Sequence, residues 1–284
     1  MPETIGRYQL LEPLGNGTLG ALHRARDLQK GRTVALRVLD APGLTPDAVE
    51  AVRAVASRLV DLSHPALASL YECVDEHGVL ALASEFVPGQ SLASLVAAAP
   101  LHPRRAVDLA VQLADGLAAA HAADVMHGAV SVDAVIVTPK GAPKLLDLGL
   151  ARWTRAGAIH TDDDLAGLAA LLFHTIVGRP LKRGWPAEFR SASIPRALQP
   201  VLQQMSTPGG YASMVLAASD LRDVAASLDA AEPPAEAPRV VARTHAQPQG
   251  ASSSRGWLIA IALIGAVVLI GVAIARVWVA RALY

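Results

Sequence analysis

The stretch that decides the fold of this chain reads LGNGTLGALHRARDLQKGRTVALRVLD and covers residues 14–40. Its glycines Gly15, Gly17 and Gly20 form a G-x-G-x-x-G pattern, which lets a backbone approach phosphate closely because glycine has no Cβ. In a dinucleotide-binding fold these glycines would open a helix. Here they precede a turn at residues 29–31 and the β-like run TVALRVLD, so we expect them on a β-hairpin.

Outward from this stretch, short β-like runs give way to long helical ones. The run VLALASEFV (79–87) is β-like, whereas apolar residues recur at helical spacing over 103–125 and 163–178. Strands first and helices later predict an α+β fold with two lobes. We expect an N-lobe over about residues 8–87 and a C-lobe over about residues 88–229.

The composition narrows the class of partner. Lys+Arg and Asp+Glu both number 25 in 284 residues, so the formal charge is zero and we expect no nucleic-acid partner. The single cysteine, Cys73, allows no internal disulfide and no cysteine cluster for a metal. We interpret it as a core residue in a reducing compartment.

The C-terminal region predicts a membrane anchor. Residues 257–275, WLIAIALIGAVVLIGVAIA, carry no charge and have the length that spans a bilayer, and too little chain follows for a domain that would bury them. The Pro- and Ser-containing residues 230–256 predict a flexible juxtamembrane linker. Because no signal peptide is visible at the N-terminus, we expect a single-pass protein of the inner membrane. The first domain would then be cytoplasmic, the lipid bilayer a partner and residues 276–284 an extracytoplasmic tail.

Further segments follow the glycine pattern in a recognisable order. They are the hinge-like EFVPGQSL (85–92), a helix and loop ending in HGAVSVDA (127–134), KLLDLGLA (144–151) and DLAGLAALLFHTIVGRPL (164–181). Together they resemble the bacterial serine/threonine protein kinase family over about residues 8–228. The resemblance implies a two-lobed protein-kinase-like fold and ATP with Mg²⁺ as possible ligands.

The resemblance also implies a set of nucleotide-binding residues. They are Gly15, Gly17, Gly20, Arg37, Glu85 and Val87. Arg37 stands where the family has a lysine that contacts the α and β phosphates, and its wider planar head makes the replacement non-conservative. The helix glutamate that pairs with this lysine in the family falls on Val55. The nearest upstream acid, Glu50, lies about 140° around the helix from Val55.

The catalytic-loop pattern H-R-D-x-K-x-x-N appears here as HGAVSVDA. By the resemblance, the base aspartate is replaced by Ala129, the arginine by Gly128, the lysine by Ser131 and the second metal-binding asparagine by Ala134. No carboxylate at Ala129 can accept the proton of a substrate hydroxyl. Asp133 lies one residue before the metal-binding position, and we expect its side chain to point elsewhere.

Asp147, which begins the DLG segment, is the one metal ligand that survives by resemblance. A Mg²⁺ bound there would bridge nucleotide phosphates. Alternatively, Asp147 persists because it caps backbone amides in a turn. The sequence leaves both interpretations open.

The C-lobe shows both retained and missing features. Asp164 aligns with the central-helix aspartate that hydrogen-bonds the catalytic-loop backbone in the family. Only residues 150–163 precede it, too few for a family-length activation segment, and no A-P-E match occurs there. Gly210 and Tyr211 stand where the family's late arginine is expected. His121, His127 and His174 share no spacing typical of metal ligands, so we interpret them as structural residues of the fold.

These losses favour a pseudokinase that binds ATP weakly, if at all, and regulates or scaffolds an unknown protein partner at the membrane. The replaced positions are Val55, Ala129, Ser131 and Ala134. One alternative is an active but atypical serine/threonine kinase that uses Arg37, Asp147 and Asp133. Another is a membrane adaptor that binds no nucleotide.

Overall fold

The computed structural model describes residues 4–17, 20–39, 46–76, 78–150, 158–182, 188–191 and 193–231. The predicted transmembrane helix at 257–275 and the tail at 276–284 lie outside these residues. Among the helices that are described, none combines the length and the apolar composition needed to cross a membrane.

A six-stranded antiparallel sheet forms the N-lobe. Its strands are β1 (Thr4–Ile5), β2 (Tyr8–Gly17), β3 (Gly20–Asp27), β4 (Arg32–Leu39), β5 (Leu70–Glu76) and β6 (Val79–Glu85). They lie in the order β1-β2-β3-β4-β6-β5. The expected glycine hairpin is confirmed, since β2 pairs with β3 and Gly17 lies opposite Gly20.

The turn between β3 and β4 shows why the chain reverses where the sequence predicts. Gly31 has a φ of +65°, a conformation that suits glycine, and its N–H donates to the Asp27 carbonyl at 2.8 Å. The buried Asp27 carboxylate accepts from the backbone N–H groups of Gln29 and Lys30, each at 3.0 Å. A short polar side chain that binds backbone two and three residues ahead stabilises such a turn.

One helix, α1 (Pro46–Val60), lies between β4 and β5 in the chain. Val52, Val55, Ala56 and Leu59 recur at helical spacing and are all buried. Val55 and Leu59 belong to the main hydrophobic core, whereas Val52 and Ala56 pack in a smaller cluster with β4 and β6 residues. The helix therefore turns one apolar face toward both lobes.

The C-lobe is mostly helical. Its helices are α2 (Leu92–Ala98), α3 (Pro103–Ala122), α4 (Thr161–Val177), α5 (Leu198–Met205) and α6 (Met214–Ala231). A small antiparallel sheet of β7 (Gln90–Ser91), β8 (Val135–Val137) and β9 (Pro143–Leu145) accompanies them. Helix α3 packs against α4 and α6, and its Leu109, Leu113 and Leu117 are fully buried.

The predicted α+β, two-lobed architecture is confirmed. The lobes are joined beside β9, where Leu145 N–H donates to Ala66 O at 2.8 Å and Ala68 N–H donates to Leu145 O at 2.9 Å. One boundary was wrong, because α6 continues to Ala231 and takes up the first two residues of the predicted linker at 230–256. Alanines extend the helix until the following prolines disfavour it.

Candidate nucleotide-binding cavity

A cavity of about 250 Å³ lies between the N-lobe sheet, α1 and the DLG segment. Sixteen of the described residues line it and nine of these are leucines, so most of the described wall is apolar. The polar side chains among these sixteen are Arg37, Ser84, Glu85, Asp133 and Asp147. Three of the predicted site residues therefore meet here, namely Arg37, Glu85 and Asp147.

Arg37 and Asp147 form an ion pair at the edge of this cavity. Arg37 lies in β4, between Leu22 of β3 and Leu82 of β6, and its side chain is 11% exposed. Its Nη2 donates to both carboxylate oxygens of Asp147, at 2.9 and 2.7 Å. Asp147 is 42% exposed and has a φ of +57°, which is uncommon for a residue other than glycine.

Neither expected role of Asp147 is seen in this arrangement. Among the described residues, the donor to its side-chain oxygens is a guanidinium, and no described backbone amide donates to them, so the capping interpretation stays a prediction. The same bonds leave the carboxylate paired with a cation where a metal ligand was expected. The sequence did contain a signal for this ion pair. Arg37 has no helix glutamate to bind, and Asp147 is a carboxylate within the family motifs.

Val55, at the position of the family's helix glutamate, lies beside the DLG segment and is not among the described residues that line the cavity. Its Cγ1 lies 3.0 Å from the position that a Cβ on Gly149 would take, so the valine packs directly against the DLG segment. Gly149 itself has a φ of +75°. Glu50 is exposed, and the anion that Arg37 binds is Asp147 instead.

The hinge-like segment begins at Glu85, whose carboxylate is held on the cavity wall. Lys144 Nζ donates to Glu85 Oε2 at 2.8 Å and to Leu67 O at 3.0 Å. The N–H of Ser69 donates to the same carboxylate oxygen at 3.2 Å. Val87 is not among the described residues that line the cavity. Lys144 is a contact that the sequence argument missed.

The glycine hairpin contributes to the cavity through its second strand. Leu22 of β3 lines the wall, whereas Gly15, Gly17 and Gly20 are not among the described lining residues. Gly20 has a φ of +103° and so uses the conformational freedom of glycine.

The loop His127–Ala134 keeps its backbone shape but presents few functional groups. Ala129 is exposed and Ser131 half-buried, while Ala134 packs against the main core. Leu146 N–H donates to Ala134 O at 2.8 Å, which ties the loop to the DLG segment. Asp133, which we expected to point elsewhere, does line the cavity. At the base and metal-binding positions the loop therefore offers only methyl groups.

Asp164 organises this loop from below. Its fully buried carboxylate accepts from His127 N at 2.9 Å and from Gly128 N at 2.6 Å, and it lies 2.7 Å from His121 Nε2. The expectation that Asp164 binds the loop backbone is confirmed. The His121 contact was missed, although the expectation of a fold position for this histidine agrees with it.

His127 is a second structural anchor of the loop. Its Nδ1 accepts from Ala129 N at 3.1 Å, so the ring proton is on Nε2, which donates to Leu146 O at 2.8 Å. Burial lowers the pKa of His127, because the charged form would lose its hydration. The imidazole is therefore neutral, and its two hydrogen bonds link the backbone at Ala129 to the backbone at Leu146.

Gly210 and Tyr211, which stand where the family's late arginine is expected, are both closely packed. Tyr211 is buried and its hydroxyl donates to Asp220 Oδ2 at 2.6 Å. A Cβ on Gly210 would lie 2.1 Å from Gln204 O, so this position has no room for any side chain. Residues 151–157, which make up half of the shortened activation segment at 150–163, lie outside the described residues.

ATP and Mg²⁺ fit the cavity unequally. The apolar wall of leucines suits a planar base. Mg²⁺ prefers carboxylate and phosphate oxygens in octahedral geometry, but both oxygens of Asp147 already accept from Arg37, and the Ala134 side chain offers no oxygen. Among the residues that the structure describes, no group of three His, Cys, Asp or Glu side chains could hold a metal ion. The one carboxylate retained for a metal is thus already engaged by a guanidinium, so the described residues fit Mg²⁺ poorly.

Comparison with known proteins relates this geometry to others. Residues 8–163 match the family described as "Protein kinase domain". Serine/threonine-protein kinase pkn2 of Myxococcus xanthus is 28% identical over 247 residues, which cover 74% of this chain and 30% of that protein. PknD of Mycobacterium tuberculosis is 35% identical over 153 residues, which cover 52% of this chain and 23% of that protein. The chain thus spans less than a third of the length of these two relatives.

A solved structure shows the same fold. The crystal structure of the PknI kinase domain from Mycobacterium tuberculosis superposes with a TM-score of 0.67 and covers 78% of this chain and 98% of that one. The two are 19% identical in sequence, so the likeness concerns the fold alone.

Proposed function

Because the chain belongs to the protein kinase domain family and has bacterial serine/threonine kinases among its relatives, we propose that it is a pseudokinase. In this role it is a ligand-binding module that regulates or scaffolds a protein partner at the inner membrane. The observation that carries the proposal is the Arg37–Asp147 ion pair, which engages the only carboxylate that the motif retains for a metal.

The chemistry of phosphoryl transfer supports this proposal. Transfer depends on positioned charges for the nucleotide, the metal ions and the attacking hydroxyl. Ala129 cannot act as a general base, a group that typically contributes a factor of 10²–10⁴ to the rate. Ala134 cannot hold a second metal. The cation that would contact phosphate, Arg37, is instead paired with Asp147.

If a bound ligand is to regulate a partner, it must contact an element that also forms part of the protein surface. The cavity wall includes such an element. Leu59 of α1 and Leu148 of the DLG segment both line the cavity. A ligand there would contact a helix whose opposite face is exposed at Arg53 and Ser57. We propose that the partner protein recognises the position of α1. The predicted anchor at 257–275 would keep this surface at the membrane.

The proposal is tested by a phosphate-transfer assay on the full chain purified in mild detergent. Radiolabelled ATP with Mg²⁺ is supplied, and label is followed into the chain itself and into casein. We expect wild type and Asp147→Ala to give the same background. Transfer by wild type that Asp147→Ala abolishes would overturn the proposal.

A second candidate, an atypical active kinase, is favoured by one observation. Asp133 lines the cavity and is exposed, so its carboxylate is near the place that a substrate hydroxyl would occupy. If Asp133 acts as the base, Asp133→Asn lowers any transfer by roughly 10²-fold or more. In the pseudokinase, this substitution changes nothing in the same assay.

A further inference from the structure

The cavity contains a conflict between its shape and the ligand that its fold family implies. Its leucine wall has the character of a small-molecule site, yet its edge does not fit a metal ion. The inference drawn from this conflict concerns the class of ligand. It rests on the proposed function only because both concern the same cavity.

The first step concerns the metal. A cation coordinated by Asp147 would have to share its carboxylate with the Arg37 guanidinium, whose Nη2 already donates to both oxygens. Arg37 is buried, and its Nε already lacks a hydrogen-bond partner among the described residues. Loss of Asp147 would therefore leave a buried charge unpaired, which is strongly unfavourable. The ion pair therefore competes with a metal ion for the same carboxylate.

The second step concerns the charge of the ligand. Among the described residues that line the cavity, the charged side chains are one guanidinium, Arg37, and three carboxylates, those of Glu85, Asp133 and Asp147. Arg37 is paired with Asp147, and Lys144 donates to Glu85 from beside the wall. Asp133 has no partner among the described residues. A triphosphate without a metal would meet this excess of carboxylates and be repelled.

The third step concerns the apolar part of the wall. Leu22 and Ala35 line the cavity from the N-lobe strands, and Leu146 lines it from the segment before Asp147. Ser84 has a small side chain whose hydroxyl donates to Ala35 O at 3.2 Å. Ser84 and Leu59 both line the cavity, and the small serine side chain takes up little of its volume. A planar, largely apolar group can enter between these walls.

We infer that this cavity binds an uncharged heterocycle of nucleoside size without any divalent cation, and that Mg²⁺ adds nothing to its binding. The ligand is recognised by apolar contact and shape, while the Arg37–Asp147 ion pair closes the side on which phosphates and metal would lie.

The test is thermal unfolding of the full chain in mild detergent, because a ligand that binds only the folded state raises the midpoint. The probes are adenosine, ATP with EDTA, and ATP with Mg²⁺, each at the same millimolar concentration. We expect adenosine to give the largest shift, and we expect the two ATP samples to give equal and smaller shifts.

Two variants and one control sharpen this result. Ser84→Met puts a longer side chain on the cavity wall and should abolish the adenosine shift, whereas Ser57→Met, on the exposed face of α1, should keep it. Asp133→Lys replaces an exposed carboxylate with a cation and should strengthen the binding of ATP in EDTA by roughly tenfold relative to adenosine. This second variant tests the charge argument even if Ser84→Met unfolds the protein.

Two outcomes would overturn the inference. A larger shift with Mg²⁺ and ATP than with ATP in EDTA would mean that the site takes a metal. No shift with any probe would mean that it takes no nucleoside. Either result leaves the pseudokinase proposal standing as long as no phosphate transfer is detected, so the failures of the two proposals can be told apart.

Discussion

Two aspartates that lie close in the chain have opposite surroundings. Asp164 is fully buried beneath the loop that begins at His127 and accepts hydrogen bonds from two backbone N–H groups of that loop. Asp147 is 42% exposed at the cavity edge and is bound by one guanidinium. The first carboxylate holds the backbone, and the second stands where the family's chemistry would occur.

This difference shows which part of a kinase fold depends on which residues. Hydrogen bonds to Asp164 and His127 hold the loop backbone, and neither group is at the base position, which is Ala129. Shape and chemistry are carried by different side chains. One can therefore be lost without the other.

The largest effect is expected from Asp164→Ala. This substitution leaves the N–H groups of His127 and Gly128 and the ring of His121 without their buried acceptor, which we expect to lower the free energy of unfolding by roughly 3–5 kcal/mol. Thermal unfolding of the full chain should show a midpoint lower by about 10 °C.

The matched control for that variant is Asp223→Ala, which removes an exposed carboxylate on α6. It should change the free energy of unfolding by no more than about 0.5 kcal/mol. If Asp164→Ala proved as mild as this control, the carboxylate would not be the anchor of the loop.

A smaller and asymmetric effect is expected from the two sides of the ion pair. Asp147→Ala leaves the buried Arg37 unpaired, whereas Arg37→Met leaves a half-exposed carboxylate that water can solvate. We expect losses of about 2 kcal/mol for Asp147→Ala and below about 1 kcal/mol for Arg37→Met, measured by denaturant unfolding. Equal losses, or the reverse order, would contradict the placement of Arg37 as the buried partner.

The smallest effect is a pH dependence that His127 adds to stability. Burial lowers the pKa of His127 below its ordinary value of 6.5, so below that pH the unfolded chain takes up a proton that the folded chain refuses. Stability should therefore fall as the pH falls from 7 toward 5. His127→Asn removes this contribution, so its stability should fall less steeply over the same range. Parallel pH profiles for the two proteins would show that His127 does not titrate as the structure implies.

Much of the fold could be predicted from the sequence because local signals and family order agreed. The glycines before a turn and a β-like run predicted the hairpin, and helical spacing predicted α3 and α4. The end of α6 at Ala231 was missed, because composition marks a change of character and not the residue at which a helix stops.

The site was predicted less completely, for a reason visible in Asp147. Its position in the motif could be assigned, but its partner depends on what Arg37 reaches after folding, across more than 100 residues of chain. The contact between Lys144 and Glu85 was missed for the same reason. Sequence spacing locates residues on elements, whereas ion pairs between distant elements require the packed structure.

The contrast between the two aspartates is tested most directly by asking whether Asp147 holds a divalent cation. Electron paramagnetic resonance of Mn²⁺ with ATP distinguishes free from protein-bound metal, and the full chain in detergent can be compared with Asp147→Ala. Our account predicts the same bound fraction of Mn²⁺ for both proteins, because Arg37 occupies the carboxylate. A fraction of Mn²⁺ that wild type binds and Asp147→Ala loses would contradict it.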